Sequence, residues 1–425
     1  MTTLQNVLGK FLKTTEKRRL AENFLFLSIL QGLNYVLPLI TFPYLVRVLG
    51  PEKFGLISFA QAFVGYLSIL TDYGFNLSAT RDVSINRDNK QKINEIFSSV
   101  MIIKFFLCII SFLILSICLI FIPKFRDDWV VYIFTFFGVI GQVLFPVWFF
   151  QGMEKMRYIT ILNVIAKTIF VICIFVFIKK MSDYLYVPLI NSLGYLNAGL
   201  LSLWVINKNF AVKFILPKME AIRYQLKEGW HIFISTVAIS LYTTSNTFIL
   251  GLFTNNTIVG YYAAAEKIVR AIQGLLTPVS QVLYPFFAKV YSESKERGER
   301  ILKKILKIIF LITLSISIVG SLLSENLSLI ILGEQFTYSA GLIRILVFII
   351  FAIGVNNILG IQGLIAFGFS KYFRNIVFCF GVLHIFYLTP FIIFFEAYGV
   401  AIAVLFTEIF IAVTEYIVLR RKKIL

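Results

Sequence analysis

Residues 102–122 read IIKFFLCIISFLILSICLIFI, and this run decides the fold class. Lys104 is its only charged residue, and about 20 apolar residues suffice for an α-helix to cross the hydrocarbon core of a bilayer. A membrane-spanning β-strand would alternate apolar and polar residues, and the run shows no such alternation. The sequence therefore predicts a membrane-spanning helix here.

The same apolar pattern recurs along the chain. Of the 425 residues, 59% are hydrophobic and only 15% are charged, and the mean hydropathy is +0.85. A soluble domain could not bury that much apolar surface. We predict an all-α polytopic membrane protein with about twelve transmembrane helices, at roughly 23–46, 54–75, 97–122, 129–151, 158–178, 184–206, 230–253, 258–288, 304–324, 337–367, 373–395 and 397–419.

The Lys and Arg residues alternate in density from loop to loop. Of the 40, 29 lie at the chain ends or in every second loop, six lie in the other loops, and five lie inside the apolar stretches. Basic residues beside membrane spans stay on the cytoplasmic side, which assigns the rich loops to that side. The formal net charge of +18 then reflects topology and contact with membrane lipids rather than nucleic acid.

Both ends of the chain carry basic clusters. Five basic residues lie between Lys10 and Arg19, and four lie between Arg420 and Lys423. Both termini are therefore predicted to be cytoplasmic. That topology requires an even number of spans, which agrees with twelve.

A long polar segment divides the chain near its midpoint. It covers residues 207–229, with six predicted spans before it and six after it. We predict an N-terminal six-helix half (1–206), a cytoplasmic linker (207–229) and a C-terminal six-helix half (230–425). An even number of spans in each half gives both halves the same orientation.

Two external turns support a repeated architecture. Residues 49–55 and 254–260 each end in glycine before a helix rich in small residues. Small residues on a helix face allow a neighbouring helix to approach closely.

The sequence lacks the usual signatures of an enzyme. It has no GxxxxGK[ST] phosphate loop, and neither of its two histidines, His231 and His384, belongs to a HExxH or Cys/His cluster. We therefore expect no metal and no cofactor. The loops predicted to be external are short, so the pattern favours a transporter over a membrane enzyme.

Charged residues inside the predicted spans are the main functional signal, because charge in hydrocarbon is costly and usually faces a cavity. Lys104 is expected to extend to the cytoplasmic interface. Glu266 and Arg270 are four residues apart and can pair on one helix face, either structurally or as part of a site. A net cationic cavity would attract a phosphate-bearing solute. The intramembrane cations are Lys104, Lys167, Lys267, Arg270 and Arg344.

Three further residues have two readings each. Arg47, after the first span, either anchors at the interface or contributes to the cavity. Asp72, at the end of the second span, either takes up a coupling ion or pairs with Arg81. Glu266 is a second candidate for ion coupling.

Several blocks resemble a known family. Residues 34–55 read NYVLPLITFPYLVRVLGPEKFG, residues 72–81 read DYGFNLSATR, and residues 148–158 read WFFQGMEKMRY. These blocks, with YYAAAE at 261–266, resemble the Wzx-type flippases, the O-antigen and capsule transporters of bacteria. That family belongs to the multidrug/oligosaccharidyl-lipid/polysaccharide (MOP) superfamily, which also contains the MATE transporters.

The resemblance implies a substrate and a mechanism. Such proteins move undecaprenyl-diphosphate-linked oligosaccharide repeat units, precursors of lipopolysaccharide O-antigen or capsule, to the outer leaflet of the bacterial inner membrane. Two halves would form a V-shaped cavity that opens to each side in turn, possibly coupled to an ion gradient through Asp72 or Glu266. The cationic residues would bind the diphosphate or acidic sugars. They are Arg47, Lys167, Lys267, Arg270 and Arg344.

The resemblance also implies a polysaccharide polymerase and a chain-length regulator as partners. Two other functions compete with the flippase. A cation-coupled multidrug antiporter of the same superfamily should carry acidic residues in its cavity. A membrane enzyme of surface-polysaccharide assembly should carry a large external loop.

Overall fold

The computed structural model describes residues 15–274 and 276–425, and the regular elements in those ranges are all helical. The predicted all-helical membrane fold is confirmed. Eight helical stretches among the described residues are long and apolar enough to cross a membrane. They are Ile40–Ile85, Lys90–Phe121, Trp129–Gly152, Met156–Phe177, Met181–Phe210, Lys295–Leu322, Glu334–Ile365 and Ser370–Arg421.

The chain forms two compact units. The first comprises the residues up to Phe42 and Phe63–Val237, and the second comprises Pro43–Ala62 and Ala238–Leu425. The sequence assigned 43–62 to the N-terminal half, whereas the structure packs this segment with the second unit. The division into two six-helix halves stays a prediction.

The first unit surrounds an aromatic core. Trp148, Phe149 and Phe150 are fully buried and pack with Phe75 and Phe97. Its helices are α1 (Thr15–Asp72, except residues 43–62), α2 (Phe75–Ile85), α3 (Lys90–Phe121), α4 (Pro123–Arg126), α5 (Trp129–Leu144), α6 (Val147–Gly152), α7 (Met156–Phe177), α8 (Tyr186–Phe210) and most of α9 (Met219–Thr243), with a 3-10 turn at Met181–Leu185.

The second unit contains the remaining helices, several of them short. These are α10 (Ser245–Phe253), α11 (Asn256–Gly274), α12 (Leu276–Glu293), α13 (Lys295–Leu322), α14 (Ser324–Leu327), α15 (Thr337–Leu346), α16 (Phe348–Asn356) and α17 (Ser370–Arg421). Two π-helical segments interrupt them, at Ser328–Leu332 and Asn357–Ile365, and a 3-10 turn lies at Glu334–Phe336.

The two longest helices are each broken at a predicted turn. The break in α1 is at Gly50, with φ 67° and ψ 174°, between the first and second predicted spans. Glycine adopts this conformation easily because it has no Cβ. The break in α17 is at Glu396, with φ 50° and ψ −127°, between the last two predicted spans. Each long helix therefore contains two predicted spans.

Predicted span 23–46 overlaps the eight stretches only at 40–46, and two others, 230–253 and 258–288, are absent from them. Span 230–253 is divided between α9 and α10, and span 258–288 between α11 and α12. Among these helices, α10 has only nine residues, and α11 carries Glu266, Lys267 and Arg270 within its 19 residues.

A pair of glycines joins α1 to α11 in the second unit. A Cβ added to Gly55 would overlap the carbonyl oxygen of Asn256, and one added to Gly260 would overlap the carbonyl oxygen of Pro51. The two backbones therefore touch, which only residues without a side chain permit. The sequence pointed to the two small-residue faces but not to their meeting, and the segment 43–62 packs with the second unit here.

Candidate functional site

A cavity of about 110 Å³ lies inside the second unit, between α10, α11, α15, α16 and α17. One wall is apolar, with Leu346, Ile349 and Val404 among its residues. The opposite lining is polar and partly charged. The polar residues are Asn246, Tyr262, Glu266, Arg270, Gln273 and Glu408.

The predicted pair of Glu266 and Arg270 is confirmed in this cavity. The two lie one turn apart on α11, and the guanidinium Nη2 donates to Glu266 Oε1 at 2.8 Å. Thr247 and Tyr262 also donate to the Glu266 carboxylate, each at 3.4 Å. The Arg270 side chain is still 55% exposed. The carboxylate is thus held by three donors, and Arg270 is one of them.

The other three predicted cations of this unit lie outside the cavity lining. The ammonium of Lys267 is 5.8 Å from the ring centroid of Phe54, a cation–π contact. The guanidinium of Arg47 donates to the backbone carbonyl of Ile330. Each cation therefore contacts different residues, and the structure does not bring these side chains together in one cluster.

Arg344 has an acidic partner that sequence spacing did not reveal. Its Nη2 lies 2.8 Å from Glu325 Oε1, and its Nε donates to the Ser324 hydroxyl at 3.4 Å. Both charged side chains are more than half exposed. The pair joins α15 to α14, nineteen residues away along the chain.

In the first unit, Lys104 does not extend to the interface as expected. It is only 4% exposed, and its ammonium is 3.5 Å from Asp72 Oδ1. Asn76 donates to the same carboxylate oxygen at 2.9 Å. Asp72 on α1 therefore pairs with Lys104 on α3, and the acidic partners of Arg81 are Asp82 and Glu228. Lys167 is half-buried on α7.

Arg81 belongs instead to a polar cluster at the end of α2. Its Nη2 lies 2.6 Å from Glu228 on α9, and the amide of Gln225 donates to the buried Asp82 at 3.0 Å. These contacts tie the predicted linker to α2. A polar cavity of about 460 Å³ lies beside them, lined also by Tyr224.

Sequence reasoning missed a buried network beside the first cavity. The two ring nitrogens of His384 lie 2.8 Å from Asn246 Oδ1 and 2.7 Å from Thr407 Oγ1. Tyr387 is hydrogen-bonded to the same threonine hydroxyl. These residues come from α10 and both segments of α17, so no local sequence motif predicts the network. The signal that the sequence offered was the presence of polar residues within apolar stretches.

Two further acidic residues, Glu408 and Glu415, lie on α17. Glu408 is partly buried. Glu408 accepts a hydrogen bond of 2.6 Å from the Asn356 amide and lines the cavity. Glu415 is completely buried. Among the described residues, no group of three or more His, Cys, Asp or Glu side chains is arranged to hold a metal ion.

Comparison with known proteins places the chain in a family. Residues 20–291 match a family described as polysaccharide biosynthesis protein. A candidate O-antigen transporter of Escherichia coli (strain K12) is 33% identical over 412 residues, covering 97% of this chain and 99% of that protein. A candidate O-antigen transporter of Shigella dysenteriae is 30% identical over 92% of this chain and 97% of that protein.

Solved structures share the fold at low sequence identity. An inward-facing multidrug resistance MATE family transporter of the MOP superfamily aligns with a TM-score of 0.71 and 13% identity, over 91% of this chain and 94% of that chain. The lipid II flippase MurJ, in an inward closed conformation, aligns with a TM-score of 0.70 and 15% identity, over 93% of this chain and 87% of that chain. The predicted MATE-like fold is confirmed.

Proposed function

Since this chain belongs to the polysaccharide biosynthesis protein family, we propose that it moves undecaprenyl-diphosphate-linked oligosaccharide repeat units to the outer leaflet of the bacterial inner membrane. The names of the relatives from Escherichia coli and Shigella support O-antigen precursors as cargo. Relatives and family are transporters rather than enzymes, as the sequence predicted. Alternating access is the mechanism that this multi-pass fold supports.

The observation that carries the proposal is Arg270. It combines a position in the predicted span 258–288, a place in the lining of a cavity and a side chain that is 55% exposed. A guanidinium binds phosphate oxygens through two parallel hydrogen bonds, which a compact ammonium cannot do. The diphosphate would compete with Glu266 for Arg270. Binding of the headgroup would then release the Glu266 carboxylate.

The remaining predicted residues keep their roles as proposals. Arg47, Lys167, Lys267 and Arg344 would contact the diphosphate or acidic sugars at other stages of transport. Asp72 and Glu266 remain the sequence-based candidates for ion coupling. Each of these two carboxylates is paired with a cation in this state.

Complementation of a flippase-deficient strain tests the proposal. We expect Arg270→Ala to abolish surface polysaccharide at a normal membrane level of the protein. Arg270→Lys should retain part of the export, because the charge remains while the bidentate geometry is lost. Arg297→Ala is the matched control, since Arg297 is an exposed cation at the start of α13. Normal export by both Arg270 variants would contradict the proposal.

A second variant pair separates substrate contact from local structure. If Arg344 contacts cargo, Arg344→Ala lowers export and exchanging the charges in Arg344→Glu/Glu325→Arg does not restore it. If the residue serves only the pair with Glu325, the exchange restores export. Surface polysaccharide and membrane level are measured in both variants.

One observation favours the multidrug antiporter as a second candidate. The cavity beside Arg270 also exposes the carboxyl groups of Glu266 and Glu408, so its formal charge is not net positive as predicted from the spans. Two carboxylates in one cavity would favour binding of a cationic drug. Efflux of ethidium from cells that make the protein, lost in Glu266→Gln, would identify an antiporter. Polysaccharide export without ethidium efflux would identify the flippase.

A further inference from the structure

Glu415 is a carboxyl group without a hydrogen-bond partner in the interior of the second unit. Its exposed fraction is 0%. Both carboxyl oxygens are buried, and neither has a hydrogen-bond donor among the described residues. Its position on α17 is two helical turns beyond Glu408, about 10 Å along the axis.

The surroundings of Glu415 are apolar. Gly360 and Phe373 lie against each other and next to its carboxyl group. Ile411 and Leu419, one turn on either side along α17, belong to the buried apolar cluster of this unit. The π-helical segment Asn357–Ile365 packed on this face contains no ionisable residue. The nearest acidic residue along α17 is Glu408.

An ionised carboxylate in these surroundings would be strongly destabilised. Removing such an ion from water costs several kcal/mol even after relaxation of the protein. The nearby carboxyl group of Glu408 adds repulsion rather than compensation. A buried acid in this position therefore holds a proton in the state described here.

Glu408 connects Glu415 to the cavity. It lines the cavity together with Glu266 and Arg270 and is hydrogen-bonded to the Asn356 amide. Glu408 thus lies on α17 between Glu415 and the cavity. A proton bound at Glu408 would change the charge facing the Glu266–Arg270 pair.

We propose that Glu415 and Glu408 form a proton-binding pair that couples transport to a proton gradient. The inference rests on the proposed flippase function and adds the coupling ion and its site. Glu415 fits this role better than Asp72 or Glu266, because each of those carboxylates is paired with a cation, whereas Glu415 has no hydrogen-bond partner among the described residues.

Reconstituted full-length protein tests the pair. The probe is an undecaprenyl-diphosphate-linked trisaccharide with a fluorophore, in vesicles of phosphatidylethanolamine and phosphatidylglycerol. Its movement is followed by quenching with an impermeant reductant, with and without an imposed pH gradient of either sign. We expect wild type to respond to the gradient. Glu415→Gln, which mimics the protonated acid, should still move the probe, but its response to the gradient should be lost.

The controls separate this inference from the proposed function. Glu296→Gln, at an exposed acid of α13, should respond as wild type does. If wild type moves no probe under any condition, the flippase proposal fails. If wild type moves the probe and Glu415→Gln responds equally to the gradient, the flippase proposal stands and the proton-pair inference is overturned.

Infrared spectroscopy gives a readout that needs no transport. Wild-type protein at neutral pH should show the carbonyl band of a protonated carboxyl group in an apolar site. Glu415→Gln should lack that band, while Glu296→Gln should keep it. Absence of the band from wild type would overturn the inference even if the glutamine variant failed to fold.

Discussion

Lys104 lies in α3 with its ammonium 3.5 Å from the carboxylate of Asp72. The lysine is almost fully buried, while about a third of the Asp72 side chain is exposed. Removing one member of a buried pair leaves the other charge without compensation, and that loss exceeds what the pair adds to stability. Because about a third of the Asp72 side chain stays exposed, losing its cation costs less stability here than in a fully buried pair.

This pair yields a stability prediction. Lys104→Met should lower the free energy of unfolding by about 1–3 kcal/mol, because Asp72 loses its cation. Lys104→Met/Asp72→Asn should recover part of the loss. Thermal unfolding in detergent measures both variants. Lys53→Met, which breaks the more exposed pair with Glu52, is the control and should cost less than about 1 kcal/mol. If Lys104→Met and Asp72→Asn changed the free energy of unfolding by fully additive amounts, that result would contradict the pairing.

At the level of elements, the contact between α1 and α11 depends on two glycines. The sequence indicated it only through similar turns at 49–55 and 254–260, each followed by small residues. That the two turns meet follows from packing, since Gly55 and Gly260 are about 200 residues apart in the chain.

Alanine at either glycine tests this contact. Gly55→Ala and Gly260→Ala should each lower the melting temperature and the folded yield, because the new methyl group would overlap backbone atoms that cannot rotate away. Gly65→Ala is the matched control. A Cβ at Gly65 meets nothing within 4 Å, and alanine is the better helix former, so stability should stay equal or rise. Unchanged melting of the Gly55 and Gly260 variants would contradict the close approach.

At the level of the whole molecule, the distribution of basic residues predicts the membrane topology. The orientation of both termini towards the cytoplasm stays a prediction, and residues 1–14 of the N-terminal basic cluster lie outside the described residues. Contact with a polymerase and a chain-length regulator is likewise a proposal, because it depends on surfaces that the relatives' names do not describe.

Single cysteines in a cysteine-free background test the topology. A cysteine at Asn255, exposed at the start of α11, should react with an impermeant maleimide in intact cells. A cysteine at Arg297, exposed at the start of α13, should react only after the cells are opened. The reverse labelling pattern would place the termini outside.

The sequence by itself determined the membrane class, the all-helical fold and the spacing that lets Glu266 pair with Arg270. Each follows from spacing along one helix or from a sum over residues, so no knowledge of neighbouring helices is needed. The positions of the helix breaks at Gly50 and Glu396 could be predicted from the sequence for the same reason.

Only the tertiary structure decided which intramembrane charges have partners. Lys104 finds Asp72, and Arg344 finds Glu325, across separate helices. Among the described residues, Glu415 has no hydrogen-bond partner, and its carboxyl group lies beside Gly360 and Phe373. In hydrocarbon surroundings the cost of a charge depends on the groups within a few ångströms, and those groups are set by which helix faces pack together.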